Sequence, residues 1–276
     1  MQVCRHFTAR DFLRRARPWL MRAEIENGLL LGVADQLLRD DSLYERPIYL
    51  ATIEQDGAVL GCAFRTPPHQ VGLTRMPLTI IPALARDIRA VYDVVPGVSG
   101  PVSETGEFAK AWAQLVDGSW SIRFRQRIYA LEAVLPPRVS PPGGLRRAAQ
   151  HDADRAGRWL EAFARDAGVS FPTVALAARL IRDGRLYFWQ DGEPRCMLAS
   201  TRETPNGVSI NAVYTPPEFR ARGYATAAVA ALSQQLLDSG RTFCSLYTDL
   251  SNATSNSIYR RIGYLPVADA VEIEFC

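Results

Sequence analysis

A strand that runs directly into an amphipathic helix, through a loop with two arginines and a glycine, most constrains what this chain can become. Val208, Ile210, Ala212 and Tyr214 alternate with Ser209, Asn211 and Val213, the two-residue period of a half-buried strand. Downstream, Ala225, Ala228, Val229, Leu232, Leu236 and Leu237 recur at helical spacing, which predicts a helix from about Gly223 to Ser239 with one apolar face. The junction between them, Val213 to Thr226, is therefore a helix N-terminus exposed at the end of a strand. Such an end carries unpaired amides and roughly half a positive charge, and a glycine lets an anion approach the backbone. Arg220 and Arg222 add full charges to the same spot. The combination points to phosphate binding.

Two blocks of sequence carry a family resemblance. The first is the spacing Arg220-x-x-Gly223-x-Ala225; the second is NATSNSIYRRIGY, with Asn252, Ser255, Ile258, Tyr259, Gly263 and Tyr264 in order. A helix and a strand over Phe243 to Thr248 separate them. Together they resemble the GNAT superfamily of acetyl-CoA-dependent N-acyltransferases, in particular bacterial predicted acetyltransferases and, more distantly, the glycine N-acyltransferase branch. The resemblance spans about Leu145 to Phe275. It implies an α/β fold of the α+β GNAT type, a mixed and mainly antiparallel sheet flanked by helices. It also implies a cradle for acetyl-CoA as co-substrate: the strand backbone from Asn211 through Val213, Tyr214 and Thr215 for the pantetheine arm, with a backbone amide near Val213 or Tyr214 holding the thioester oxygen. Arg220, Ala221, Arg222, Gly223, Tyr224, Ala225 and Thr226 would hold the pyrophosphate. By the same resemblance Asn252 caps its helix and contacts the cofactor arm, Gly263 relieves strain at a helix end, and Tyr259 protonates the departing thiolate. A phenol of pKa ~10 sits close to a thiol of pKa ~8.5, so that transfer is near thermoneutral.

At 276 residues the chain accommodates two domains of ordinary size. Pro136, Pro137, Pro141, Pro142, Gly143 and Gly144 break both helix and strand patterns, which predicts a lobe over 1–138 and a catalytic domain over 139–276. Within the second, Leu145 to Ala149 reads as a strand. Asp152 or Asp154 caps a helix carrying Trp159, Leu160, Phe163 and Ala164, and a further helix spans Val174 to Arg182. A hairpin follows, Leu186 to Trp189 and Cys196 to Thr201. The first half repeats part of this plan: Tyr49 to Glu54, Gln55-Asp56-Gly57 and Val59 to Arg65 form a similar hairpin. Ser103 to Ala109 falls where its phosphate loop is expected, with Glu104 and Glu107 in place of arginines. Carboxylates there repel pyrophosphate, so the first lobe reads as a degenerate GNAT-like copy that binds no cofactor.

A net charge of +3 at this length gives no reason to expect a nucleic-acid partner, and no apolar run approaches the ~18 residues of a membrane span. Cys4, Cys62, Cys196, Cys244 and Cys276 are odd in number and scattered, which favours a reducing cytoplasm over a disulfide framework or a zinc site. His6, His69 and His151 accompany no plausible nucleophile, and the cluster of His151, Asp152 and Asp154 reads as helix capping instead of a metal site. Arg123, Arg125 and Arg127 share one strand face, which is either solvated or available to an acidic acceptor. Asp249 and Glu218 are the nearest carboxylates for a general base, with a water chain as the alternative. The expected activity is acetyl transfer to a primary amine in a ternary complex, by a monomer or homodimer acting on a small amine or amino acid. A glycine-type N-acyltransferase using another acyl-CoA, or a non-catalytic coenzyme A sensor, would share these features.

Overall fold

The computed structural model describes residues 1–276, the side chain of Leu43 excepted. The chain divides into two compact units: Met1–Ile128 with Thr248–Ser251 and Val267–Cys276, and Tyr129–Tyr247 with Asn252–Pro266. The first half of the sequence contributes β1 (Gln2–Arg5), α1 (Ala9–Leu20), α2 (Gly28–Arg39), β2 (Tyr49–Gln55), β3 (Ala58–Arg65), β4 (Val71–Leu73), α3 (Ile81–Arg89), β5 (Gly97–Pro101), α4 (Val102–Val116) and β6 (Trp120–Leu131). The second contributes β7 (Gly144–Arg147), α5 (Ala153–Asp166), α6 (Thr173–Arg182), β8 (Leu186–Asp191), β9 (Glu193–Thr201), β10 (Gly207–Tyr214), α7 (Tyr224–Asp238), β11 (Phe243–Asp249), α8 (Ala253–Arg261) and β12 (Leu265–Phe275). The order is the same in both halves: strand, two helices, three strands, helix, strand, helix, strand.

In the second unit the strands run β11-β10-β9-β8-β7, all antiparallel except the β10/β11 pair. One face packs on α7 and α8 through Cys196, Leu198, Val208, Ile210, Ala228, Leu232, Leu246 and Tyr259. The other packs on α5 and α6 through Leu160, Leu180, Phe188, Met197, Ala212 and Tyr214. Ala227, Ala228 and Ala230 let α7 lie close to the sheet, where each buried aliphatic side chain contributes about 1.5–3 kcal/mol. The predicted helices and hairpin are present, the hairpin strands extending through Asp191 and Glu193 around Gly192. Asp152 departs from expectation. Its carboxylate accepts from the Ala149 amide at 2.8 Å and pairs twice with Arg146, so it ties β7 to the helix instead of capping α5.

In the first unit the strands run β1-β2-β3-β4-β5-β12-β6, with α3 and α4 on one face and α1 and α2 on the other. The residues of β12 from Val267 onward belong here: they pair antiparallel with β5, and Val271 and Ile273 enter the first unit's core. The final strand of the second repeat thus completes the first repeat's unit, which no local pattern in the sequence indicates.

Candidate active site

β10 and β11 are paired over Gly207↔Phe243, Val208↔Cys244 and Ser209↔Ser245, and no further. Beyond Ser209 the β11 side of β10 has no strand partner. On its other side β10 follows β9 to Asn211↔Ala199, then slips before Tyr214↔Met197. The slip is a bulge at Ala212, held at φ 51° with its amide donating to Asn211 Oδ1 at 2.7 Å. An extra residue reverses the pleat, so Val208 and Ile210 face α7, whereas Ala212 and Tyr214 face α5 and α6. The uninterrupted alternation predicted from Val208 to Tyr214 therefore breaks at Ala212. Val213 is left without a register partner on either side. The expected backbone site thus lies on a forked, bulged strand, where peptide groups are open to a ligand.

The loop after β10 ends in a helix start with no side-chain cap. Gly223 stands at the N-cap of α7 with φ 81°, and Ala221, two residues earlier, has φ 62°. A Cβ on Gly223 would meet only Pro141 Cδ at 3.7 Å, so the glycine is required by its conformation and not by crowding. The Ala227 amide makes the first helical bond, to Gly223 O. Among the described residues the amides from Ala221 to Thr226 have no acceptor. An uncapped helix of this length concentrates partial positive charge where those amides converge.

The arginines divide their roles. Arg220 donates from Nε to Thr215 O at 2.9 Å and from its terminal nitrogen to Asp166 at 2.7 Å, with its guanidinium near the Tyr214 ring. It braces the loop. Arg222 is exposed and has no ion-pair partner among the described residues. Tyr224 and Tyr214 face inward as side chains: the Tyr224 hydroxyl donates to Asp191 at 2.8 Å, and the Tyr214 ring packs edge-on against Trp159. Either could serve a ligand through its backbone alone.

Tyr259 lies on α8 and is 7% exposed, between the rings of Tyr129 and Tyr264. Burial, the largest cause, pushes its pKa up to about 12, opposed by a hydrogen bond from the Ser255 side chain. The phenol is thus held neutral, further from a thiol's pKa than the free side chain is. Its neighbour Cys196 is fully buried, and the Cys196 thiol faces the Thr215 hydroxyl, which is itself buried and outside hydrogen-bonding geometry. Tyr259 and the end of β10 therefore meet at Cys196. Asn252 caps α8 by accepting from the Ser255 amide at 3.0 Å. Asn256 Oδ1 accepts from Tyr129 Oη at 3.1 Å and its Nδ2 donates to Asn252 O, joining β6 to this helix. Sequence reasoning missed Cys196 and Asn256. A lone cysteine in a strand carries no signal, whereas a polar residue at a buried helical position does.

The family described as FR47-like protein matches residues 191–271, the segment that holds the fork, the loop and Tyr259. No curated protein matches the sequence. Solved structures match over nearly the whole chain at low identity. A GNAT-family acetyltransferase from Colwellia psychrerythraea superposes with a TM-score of 0.59 at 11% identity, covering 100% of both chains. A Drosophila protein gives 0.72 at 12%, covering 99% of this chain and 98% of that one. A tandem GNAT protein from the clavulanic acid biosynthesis pathway gives 0.54 at 11%, covering 100% and 98%.

The chain has a GNAT fold with two lobes.

The shared order of elements relocates the first lobe's counterpart of the α7 entry loop. Ser103 to Ala109 was the expected position, but that segment lies inside α4, which follows β5 as α8 follows β11. The counterpart of the Gly223 loop instead joins β4 to α3. There Pro82 stands near the start of α3 without an N–H to offer, and the half-turn before it contains no glycine. Glu104, 7% exposed, accepts from the Met76 amide of this loop at 3.3 Å. The one-element error arose because both helices follow parallel strands, β5 beside β4 and β11 beside β10.

Other expectations resolve locally. Arg123 pairs with Glu272, and Arg127 makes a two-point contact with Asp269, lowering that carboxyl's pKa. These two are cross-strand ion pairs within the first unit. Asp249 accepts from the Ser251 amide at 2.8 Å and so shapes its own turn. Glu218 is exposed on the short turn before Arg220. Gly263 has φ 103°, and a Cβ there would lie 2.9 Å from Ala133 O. Among the described residues no cluster of three or more His, Cys, Asp or Glu could hold a metal ion, and no helix is long and apolar enough to cross a membrane.

Proposed function

We propose that this chain transfers an acetyl group from acetyl-CoA to a primary amine, by direct attack within a ternary complex. The observation that carries this reading is the uncapped start of α7 beside the open end of the β10/β11 fork. The residues fit the cofactor: six consecutive amides without acceptors suit a pyrophosphate, and a strand edge released from pairing suits an amide-bearing arm. When bound, acetyl-CoA supplies an activated thioester carbon.

The chain's own residues do the rest. The amides from Ala221 to Thr226 hold phosphate oxygens, with Arg222 adding charge and Arg220 keeping the loop in shape. Backbone groups from Asn211 to Thr215 hold the pantetheine arm, and the amide of Val213 or Tyr214 stabilises the oxyanion as the amine nitrogen bonds to carbon. As the carbon–sulfur bond breaks, Tyr259 gives its proton to the thiolate. The amine's extra proton passes to water, and water returns a proton to the Tyr259 phenolate. Asn252 orients α8, and so Tyr259, through its cap. In this reading residues 139–276 supply the catalytic machinery and 1–138 form a degenerate lobe, in a cytoplasmic monomer or homodimer.

The test is coenzyme A release from acetyl-CoA with a panel of small amines, alongside calorimetric binding of acetyl-CoA. Binding without transfer to any amine would favour the sensor reading. Absence of binding would remove the proposal.

A further inference from the structure

Arg202 is a partly buried basic side chain of the second unit that pairs with no carboxylate among the described residues. It follows β9 with φ 46°, a left-handed conformation that a non-glycine residue adopts only when its surroundings hold it there. Its guanidinium lies over the Tyr247 ring, 5.2 Å from the centroid, and has no ion pair or hydrogen bond among the described residues. Its neighbour in sequence is treated differently: Glu203 receives both Arg185 and Arg241. Partial burial lowers the guanidinium's pKa, the direction expected of a cation with no anion beside it.

A second group on the same face is also unsatisfied. Ser209 is 3% exposed, and its Oγ has no hydrogen-bond partner. The register places it opposite Ser245, so Ser209, Ser245 and Tyr247, two residues further on, point to one face of the sheet. On β9, Ser209 is opposite Thr201, the residue before Arg202. The orphan hydroxyl thus lies between the strand that ends at Arg202 and the strand that carries Tyr247. Ser209 and Ser245 are also the last pair before the fork opens.

We propose that Arg202 and Ser209 form the acceptor's anion subsite, so that the amine to be acylated carries a carboxylate or phosphate-type group. This deepens the acyltransfer reading and rests on it for the word acceptor. A partly buried guanidinium over an aromatic ring gains most from a planar or tetrahedral oxyanion, with the serine hydroxyl donating the remaining bond. The fork then receives the thioester from the α7 side, and the amine end of the acceptor points toward it from the Arg202 end of the strands.

The test separates anion recognition from catalysis. N-acetylglycine, N-acetylaminomethylphosphonate and N-acetylglycinamide are titrated calorimetrically into the full chain with coenzyme A present, needing no turnover. A binding preference of about tenfold or more for a charged member over the amide is expected. Arg202→Gln should remove the preference, Arg202→Lys retain part of it, and Ser209→Ala weaken it severalfold. The carboxylate and phosphonate arms identify which anion the site takes. Equal affinity for all three ligands, or a preference that survives in folded Arg202→Gln, overturns the inference. If Arg202→Gln fails to fold, Arg202→Lys and Ser209→Ala decide, and an unchanged preference in both overturns it equally. Acetyl transfer to glycine, aminomethylphosphonate and glycinamide is measured separately. Its absence alongside an Arg202-dependent binding preference would remove the acyltransferase reading and leave the anion site.

Discussion

Arg220 and Asp166 are joined across 2.7 Å, and the same guanidinium holds Thr215 O. One of the two arginines that mark the loop in the sequence is therefore neutralised before any ligand arrives. Arg222 is left as the available charge. Arg222→Ala should weaken acetyl-CoA binding about three- to tenfold at low salt and less at high salt. Asp166→Asn should not weaken binding at low salt and, by freeing Arg220, should tighten it. The pair is half exposed, so its loss should change stability by less than ~1 kcal/mol. Calorimetry at two ionic strengths, with thermal unfolding, checks both variants. Equal loss in Arg222→Ala at both salt concentrations would point to a structural role.

Gly223 separates conformation from charge. Gly223→Ala forces a β-carbon into φ 81° but meets only Pro141 Cδ, so strain of about 1–2 kcal/mol is expected with acetyl-CoA binding retained in part. Gly223→Glu adds a carboxylate where pyrophosphate is proposed to lie and should abolish binding at a similar thermal stability. If the two variants bind alike, the helix start does not hold the phosphates.

The first lobe should bind no coenzyme A, giving one site per chain. The reason differs from the one the sequence suggested: the β4–α3 loop has no glycine, Pro82 has no N–H, and the Glu104 carboxylate already accepts from the Met76 amide. Glu104→Gln removes the charge without restoring those amides, so stoichiometry should stay at one. A titration giving two sites in either protein would show that the lobe is competent.

Tyr259→Phe keeps the ring and its contacts with Tyr129 and Tyr264 while removing the proton donor. Single-turnover acetyl transfer should slow by ~10²–10⁴ with little change in acetyl-CoA affinity. Because the folded phenol's pKa is pushed up to about 12, Tyr259 stays protonated throughout the working range and should contribute no alkaline limb below that pH. The sign for stability follows. A pKa raised above the unfolded value of ~10 means that the phenol's contribution is intact below about 10 and is lost as pH climbs from there toward 12. Tyr259→Phe should accordingly lose less stability over that interval, as alkaline unfolding curves can measure. An unchanged transfer rate would make Tyr259 a packing residue, with water as the proton source.

Local chemistry made the strand-to-helix loop legible: Gly223, the arginines and the apolar spacing of α7 are short-range signals, and the cap at Asn252 and the positive φ at Gly263 belong to the same class. The paired hairpins at Asp56-Gly57 and Gly192 likewise disclosed the repeat. Only the tertiary structure could show that the pleat reverses at Ala212, because an alternating pattern does not record an inserted residue. It alone could place residues from Val267 onward in the first unit, bring Cys196 beside Tyr259, give Arg220 to Asp166 and leave Arg202 without an anion. Strand pairing and ion pairing between distant residues depend on where the backbone returns. A sequence specifies which groups need partners, and the fold decides which of them go without.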